Sequence, residues 1–131
     1  MISNLQAAKN YLVALEKGGD PETLLTLLSP DLVYVAFSNR LQPAGAQYDL
    51  SAFLQNNLRM NEMFVTQRYE LRSALASGDA VALETNWSGT LAAPLEALRT
   101  GDVIRGSLAV FLEFRGGRII RQRNYHCFAQ T

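Results

Sequence analysis

The second half of this chain is a succession of long strand-like runs, two pairs of which are joined by turns too short to hold a helix. Residues 64–76 and 80–91 flank Ser77-Gly78-Asp79, and residues 103–114 and 118–128 flank Gly116-Gly117. Turns this tight join antiparallel neighbours. A loop carrying Pro94 and Gly101 connects the second run to the third. Four consecutive strands of this kind predict an antiparallel meander.

The first half has a different period. Ser3-x-x-Gln6 has the form of a capping box, in which each end satisfies an orphan backbone donor. Leu5, Ala8, Leu12 and Leu15 then recur at spacings of three and four, and Gly18-Gly19 ends the helix. Asp20-Pro21 opens a second helix carrying Leu24, Leu25, Leu27 and Leu28, which Ser29-Pro30 stops. Residues 32–37 are rich in strand formers. Residues 38–48 carry Pro43 and Gly45, so they read as a loop or an irregular hairpin. Asp49 or Ser51 caps a third helix to about residue 63, with Phe53, Leu54 and Leu58 on one side. Three early helices followed by a meander predict an α+β fold, its helices packed on one face of a strongly curved sheet.

Length and charge bound the partners. At 131 residues, 48% of them apolar, the chain is the size of one domain spanning residues 1–131, with a core of its own. Twelve basic and twelve acidic residues cancel. That balance attracts neither phosphate backbones nor anionic lipid, so nucleic acid and membrane are poor partners. Cys127 is the only cysteine, which suits a reducing compartment. No leader-like start and no membrane-length apolar run stand out, so the expectation is a cytoplasmic protein.

Several local phrases carry a resemblance. They are Gly19-Asp20, Leu28-Ser29-Pro30-Asp31, Ala80-Val81-Ala82-Leu83-Glu84 and Trp87-Ser88-Gly89-Thr90, then the run from Val110 through Ile119 into Arg121-Gln122-Arg123-Asn124-Tyr125. With the element order, they make the chain resemble the SnoaL-like branch of the NTF2-like superfamily over nearly its whole length. The resemblance implies a cystatin-like cone around an internal pocket, a small-molecule ligand, and a homodimer formed through the outer sheet face. One His and one Cys, adjacent but on opposite faces of a strand, make no metal site, and no phosphate-loop or dinucleotide fingerprint is present, so neither metal nor cofactor is expected. It is weak for function, because this superfamily hosts isomerases, cyclases, dehydratases, epoxide hydrolases and non-catalytic binders.

The resemblance also says where the usual acids and bases stand. The carboxylate base of the ketosteroid isomerases falls at Ala36, and the acid or histidine before the last turn falls at or beside Val110. Neither residue can take a proton. The helix tyrosine of the isomerases has its counterpart in Tyr11, and the cyclase acid of the last strand aligns with Asn124.

Alternation then divides the last strand. Ile120, Gln122, Asn124, His126 and Phe128 share one face; Ile119, Arg121, Arg123, Tyr125 and Cys127 share the other. If Asn124 faces the pocket, Gln122, His126 and Phe128 do too. His126 is the only histidine, the usual acid or base near neutrality, against the plainer reading of a partly exposed residue satisfied by water. Asn124 can polarise a carbonyl but cannot act as a base. Tyr34 shares a face with Ala36, and Trp87 with Thr85 and Leu83; both either line the pocket or fill the core. Arg40, after the first strand, could meet a carboxylate, as could Arg59, although solvated arginines are commoner. Arg115, Arg118, Arg121 and Arg123 read as a solvated or dimer-forming outer face, with Glu113 and Glu84 offsetting Arg121 and Arg123 and with Tyr125 and Phe111 supplying apolar area.

Two functions remain open. One is a binder of a small apolar or cyclic molecule, with lyase, isomerase or cyclase proton chemistry resting on His126 and Asn124. The other is a non-catalytic homodimeric module with a vestigial pocket.

Overall fold

The computed structural model describes residues 2–129. Ser3 caps α1 (Asn4–Glu16), its hydroxyl accepting from the Gln6 N–H at 3.1 Å. Only half of the expected capping box forms, because the Gln6 side chain donates forward to Asn10 Oδ1 at 3.0 Å. Asp20 caps α2 (Pro21–Leu27), accepting from the backbone and the hydroxyl of Thr23.

The chain then passes straight into β1 (Leu28–Ala36), which begins four residues earlier than the apolar run suggests. The following segment is an irregular hairpin. Its return strand β2 (Ala46–Tyr48) pairs antiparallel with the end of β1. Asp49, not Ser51, caps α3 (Leu50–Met63) through the Ala52 N–H at 2.9 Å.

Four long strands complete the fold: β3 (Phe64–Ser77), β4 (Ala80–Leu91), β5 (Val103–Arg115) and β6 (Arg118–Phe128). They form the predicted meander, in a six-stranded sheet of order β2-β1-β6-β5-β4-β3. Only the β1–β6 pair is parallel among those described. Helix α3 touches both β1 and β3, four places apart in that order. The sheet curls around the helices, and its concave face carries the core. No helix among the described residues is long and apolar enough to cross a membrane.

Two local departures from regular alternation decide what faces inward. On β3 the register shifts between Phe64 and Thr66, so both Phe64 and Gln67 turn into the core. On β6 the register shifts opposite Glu113 and Phe114, so Phe114 pairs with Ile119 and Glu113 with Arg121. One extra residue on one strand reverses the alternation. Ile119 is therefore fully buried rather than outward, and Ile120 only half-buried, which corrects strict alternation at this end of β6. From Arg121 onward the expected alternation holds.

Helix α3 also departs from expectation. Leu58 is exposed, and the inward positions are Phe53 and Asn57. The rotation has a visible cause. Asn57 Nδ2 donates to the carbonyls of Gly18 and Gly19 at 3.1 and 3.2 Å, and Asn61 Nδ2 donates to Gly18 at 2.5 Å. Two amides thus clasp the turn between α1 and α2. Gly19 has φ +66°, and a Cβ there would lie 2.2 Å from Asn57 Nδ2. Beside this clasp, the Glu16 carboxylate accepts the Tyr69 N–H at 2.9 Å and ties the end of α1 to the sheet edge.

Gly19→Ala combines a left-handed backbone with loss of the clasp, so it is expected to destabilise the fold by about 2–4 kcal/mol. Chemical denaturation checks this. A midpoint unchanged from the parent would show that the clasp carries no stability.

Candidate functional site

Between the concave sheet face and the helices lies a cavity of about 90 Å³. Helix α1 contributes Tyr11, Leu12 and Leu15 to its wall, and α3 contributes Phe53, Asn56, Asn57 and Met60. The sheet supplies Tyr34, Gln67, Tyr69, Trp87, Leu108 and Val110, and β6 adds Gln122, Asn124, His126 and Phe128. No Asp, Glu, Lys or Arg lines it. The volume is below the roughly 150 Å³ of a protein cavity that holds benzene. It suits a molecule of a few heavy atoms, or the end of a longer one.

The polar groups of the wall are organised as a chain. The Tyr11 hydroxyl donates to Gln122 Oε1 at 2.6 Å, Gln122 Nε2 donates to Asn124 Oδ1 at 2.9 Å, and Asn124 Nδ2 donates to the Tyr34 hydroxyl at 3.2 Å. The parallel pairing of β1 with β6 makes this possible, since it sets Tyr34 opposite Gln122 and Ala36 opposite Asn124. Tyr11 is wholly buried, and its hydroxyl makes this one bond among the described residues. Tyr34 is held at the cavity by stacking on Tyr48, at 5.6 Å between centroids, and by Phe53 at 5.2 Å.

A second group of contacts lies toward β3. The Trp87 indole donates to Gln67 Oε1 at 3.1 Å, and its ring packs edge-on against Phe64 and Phe128. Trp87 both fills core and lines the cavity. His126 stacks on Phe128 with centroids 5.5 Å apart. Its Nδ1 is buried and has no hydrogen-bond partner among the described residues. Buried polar atoms are nearly always paired, so an unpaired one at a cavity calls for an explanation.

The wall disfavours charge of either sign. Burial pushes the Tyr11 and Tyr34 hydroxyls well above the ordinary tyrosine range, and Tyr69 up to about 12. Burial also holds the His126 imidazole below its ordinary 6.5. Near neutral pH the tyrosines thus keep their protons and His126 is uncharged.

The structure brings together Tyr11, Tyr34, Trp87, Gln122, Asn124, His126 and Phe128 around one cavity. It does not bring Arg40 there. Arg40 is exposed, and its neighbour Leu41 takes the place at the wall. Arg59 is exposed and bonds Asn56 Oδ1 at 3.3 Å. On the outer face Arg123 meets Glu113 at 2.6 Å, whereas Glu84 accepts from Ser73 instead of an arginine. Sequence reasoning missed Gln67, Tyr69, Asn57 and Met60. For Gln67 and Tyr69 a signal existed: they alternate with Arg68 and Glu70 along β3, so one of the two sets had to face inward.

A curled sheet closed by three helices over an uncharged cavity defines an α+β cone of the cystatin-like kind. The chain belongs to the SnoaL-like domain family, whose pattern matches residues 8–122. A search of curated proteins found no match. Among solved structures, IdmH from Streptomyces antibioticus, a candidate polyketide cyclase, is similar at 21% identity with a TM-score of 0.81, covering 95% of this chain and 92% of its own. An LEH-like epoxide hydrolase of M. tuberculosis is similar at 19% identity and TM-score 0.74, covering 94% and 81%. A Catenulispora acidiphila protein of ketosteroid isomerase-like fold, solved with trimethylamine, is similar at 22% and TM-score 0.72, covering 91% and 83%. At these identities the likeness establishes a shared fold.

The His126 environment makes a prediction about pH. Its folded value is depressed, so the unfolded chain binds the proton first as pH falls. Stability should therefore decline below about pH 6.5 and level off once the folded imidazole also protonates. His126→Gln should abolish this part of the slope in denaturation midpoints taken across that range. A parent whose stability is flat through the same window would contradict it.

Proposed function

We propose that the cavity binds a small uncharged molecule, apolar or cyclic in its bulk, and that His126 moves a proton on it. The observation that carries this reading is the buried, unpartnered Nδ1 of His126 at the wall. A neutral imidazole with a free lone pair is a general base. Asn124, on the same face of β6, and Tyr34, on the neighbouring β1, offer donors that would hold a carbonyl oxygen, so these groups suit lyase, isomerase or cyclase chemistry at a carbon next to that carbonyl. Ala36 and Val110 supply no second acid, which leaves His126 to act alone. Relatives of this fold include a candidate cyclase and an epoxide hydrolase, and one was solved with trimethylamine, a molecule of the size this cavity takes.

The test is hydrogen exchange into perdeuterated acetone, followed by proton NMR. The parent should exchange roughly a hundredfold faster than His126→Gln, in the range expected of a positioned base. Equal rates for both proteins would leave a binder without turnover.

The outer face favours a second reading, a homodimer. Phe37 stacks on Tyr125 with centroids 4.5 Å apart, Phe111 meets Tyr125 edge-on at 5.7 Å, and all three are exposed. Leu75 and Val33 widen this apolar patch across the sheet. Contiguous exposed aromatics on a sheet face suit self-association. Sedimentation should give a dimer at micromolar concentration and a folded monomer for Tyr125→Asp. A monomeric parent would remove this reading and leave the cavity as the functional surface.

A further inference from the structure

Trp87 is the only tryptophan of the chain, and an indole N–H can donate a hydrogen bond but never accept one. It donates to Gln67 Oε1 at 3.1 Å. The Gln67 amide can therefore lie one way only. Turned over, its Nε2 would stand at the same distance from the indole nitrogen, donor against donor. The Tyr69 hydroxyl, 3.4 Å from the same oxygen, adds a weaker contact on that side.

With Oε1 held between Trp87 and Tyr69, Gln67 Nε2 carries two protons that meet no acceptor among the described residues. Gln67 is only 8% exposed, and it belongs to the cavity wall. It stands on β3, at the far end of the sheet order from Tyr34 on β1. A buried donor without a partner is costly, so a ligand gains most by bringing an acceptor to it.

We infer that Gln67 anchors the ligand, holding an uncharged acceptor oxygen through Nε2, with Trp87 as the positioning residue that aims the amide. The inference rests on the proposed use of the cavity as a ligand site and gives that site a polar pole on β3. An ether, hydroxyl or carbonyl oxygen meets the requirement, and the carbon skeleton of the ligand fills the space beside Phe53, Leu108 and Val110. An anion could accept the same two protons, but a neutral amide does not offset the cost of burying a charge.

Tetrahydrofuran and cyclopentane test this with rings of one size, the first with an ether oxygen and the second with none. Each is titrated into nitrogen-labelled parent and Gln67→Met, and followed by the indole N–H resonance, which Trp87 alone supplies. An acceptor on Nε2 polarises the amide and strengthens the bond from the indole to Oε1. Tetrahydrofuran should therefore move that resonance downfield of its position with cyclopentane. Gln67→Met keeps the length of the side chain and removes the amide. It should abolish the difference and weaken tetrahydrofuran by about tenfold, the worth of one hydrogen bond, while cyclopentane binds as before. A variant that fails to fold would lose both rings, and the indole response of the parent then decides alone. If both rings bind the parent and the indole does not distinguish them, or if Gln67→Met holds tetrahydrofuran as tightly as the parent, Gln67 is not the anchor, while the cavity remains a ligand site. If neither ring moves a resonance of the wall, the cavity reading falls and the inference falls with it.

Discussion

The parallel seam between β1 and β6 is the constraint on which the rest of the structure depends. Every other strand pair among those described is antiparallel. The seam joins the helical half of the chain to the meander, and it brings Tyr34 beside Gln122 and Asn124. Without it the sheet would lack β1 and β2, and α3 would lose the strand it packs on at that edge. Parallel pairing needs a long connection between the partners. Here the connection is α3 with the whole meander, so closing the seam also closes the cavity.

The absence of charge from that cavity has a chemical meaning. Where an acid would serve, the wall has Asn124, Gln122 and Val110, and Ala36 is buried in the core. Amides in a buried site keep their protons over the whole working range of pH, so their hydrogen bonds do not switch. A carboxylate in the same place would have to ionise against burial or stay protonated, and its role would change with its neighbours. The pocket gives up strong acid–base power and gains a fixed pattern of donors. One titratable group near neutrality remains, His126, and burial keeps it uncharged as well.

Much of this was legible in the sequence. The helix starts at Ser3 and Asp20, the tight turns at Gly78 and Gly116-Gly117, and the alternation along β4 and the end of β6 are all local signals, and each marks a real feature. What was not legible depended on tertiary contacts. The bulges that turn Gln67 and Ile119 inward are single-residue shifts against a partner strand, and one chain read alone does not show its partner. The face of α3 followed Asn57 and Asn61 toward the Gly18–Gly19 turn, although Leu58 made the better apolar stripe. For the site, the inward set on β6 followed from alternation, but the hydrogen-bonded chain from Tyr11 to Tyr34 spans three elements and needed coordinates. Arg40 illustrates the reverse case. It carries suitable chemistry, but the hairpin turns it to solvent and gives its place to Leu41.

The late arrival of β6 has a consequence for how the chain is made. Tyr11 on α1 and its partner Gln122 on β6 lie 111 positions apart. At roughly 5–20 residues per second of synthesis, α1 and β1 wait on the order of ten seconds before β6 exists to receive them. For that interval Leu24, Leu28, Leu32 and Tyr34 have no sheet to cover them, although all are buried in the finished fold. The helical half is thus born as an apolar surface without a partner. The last strand to emerge both completes the cavity and ends that exposure.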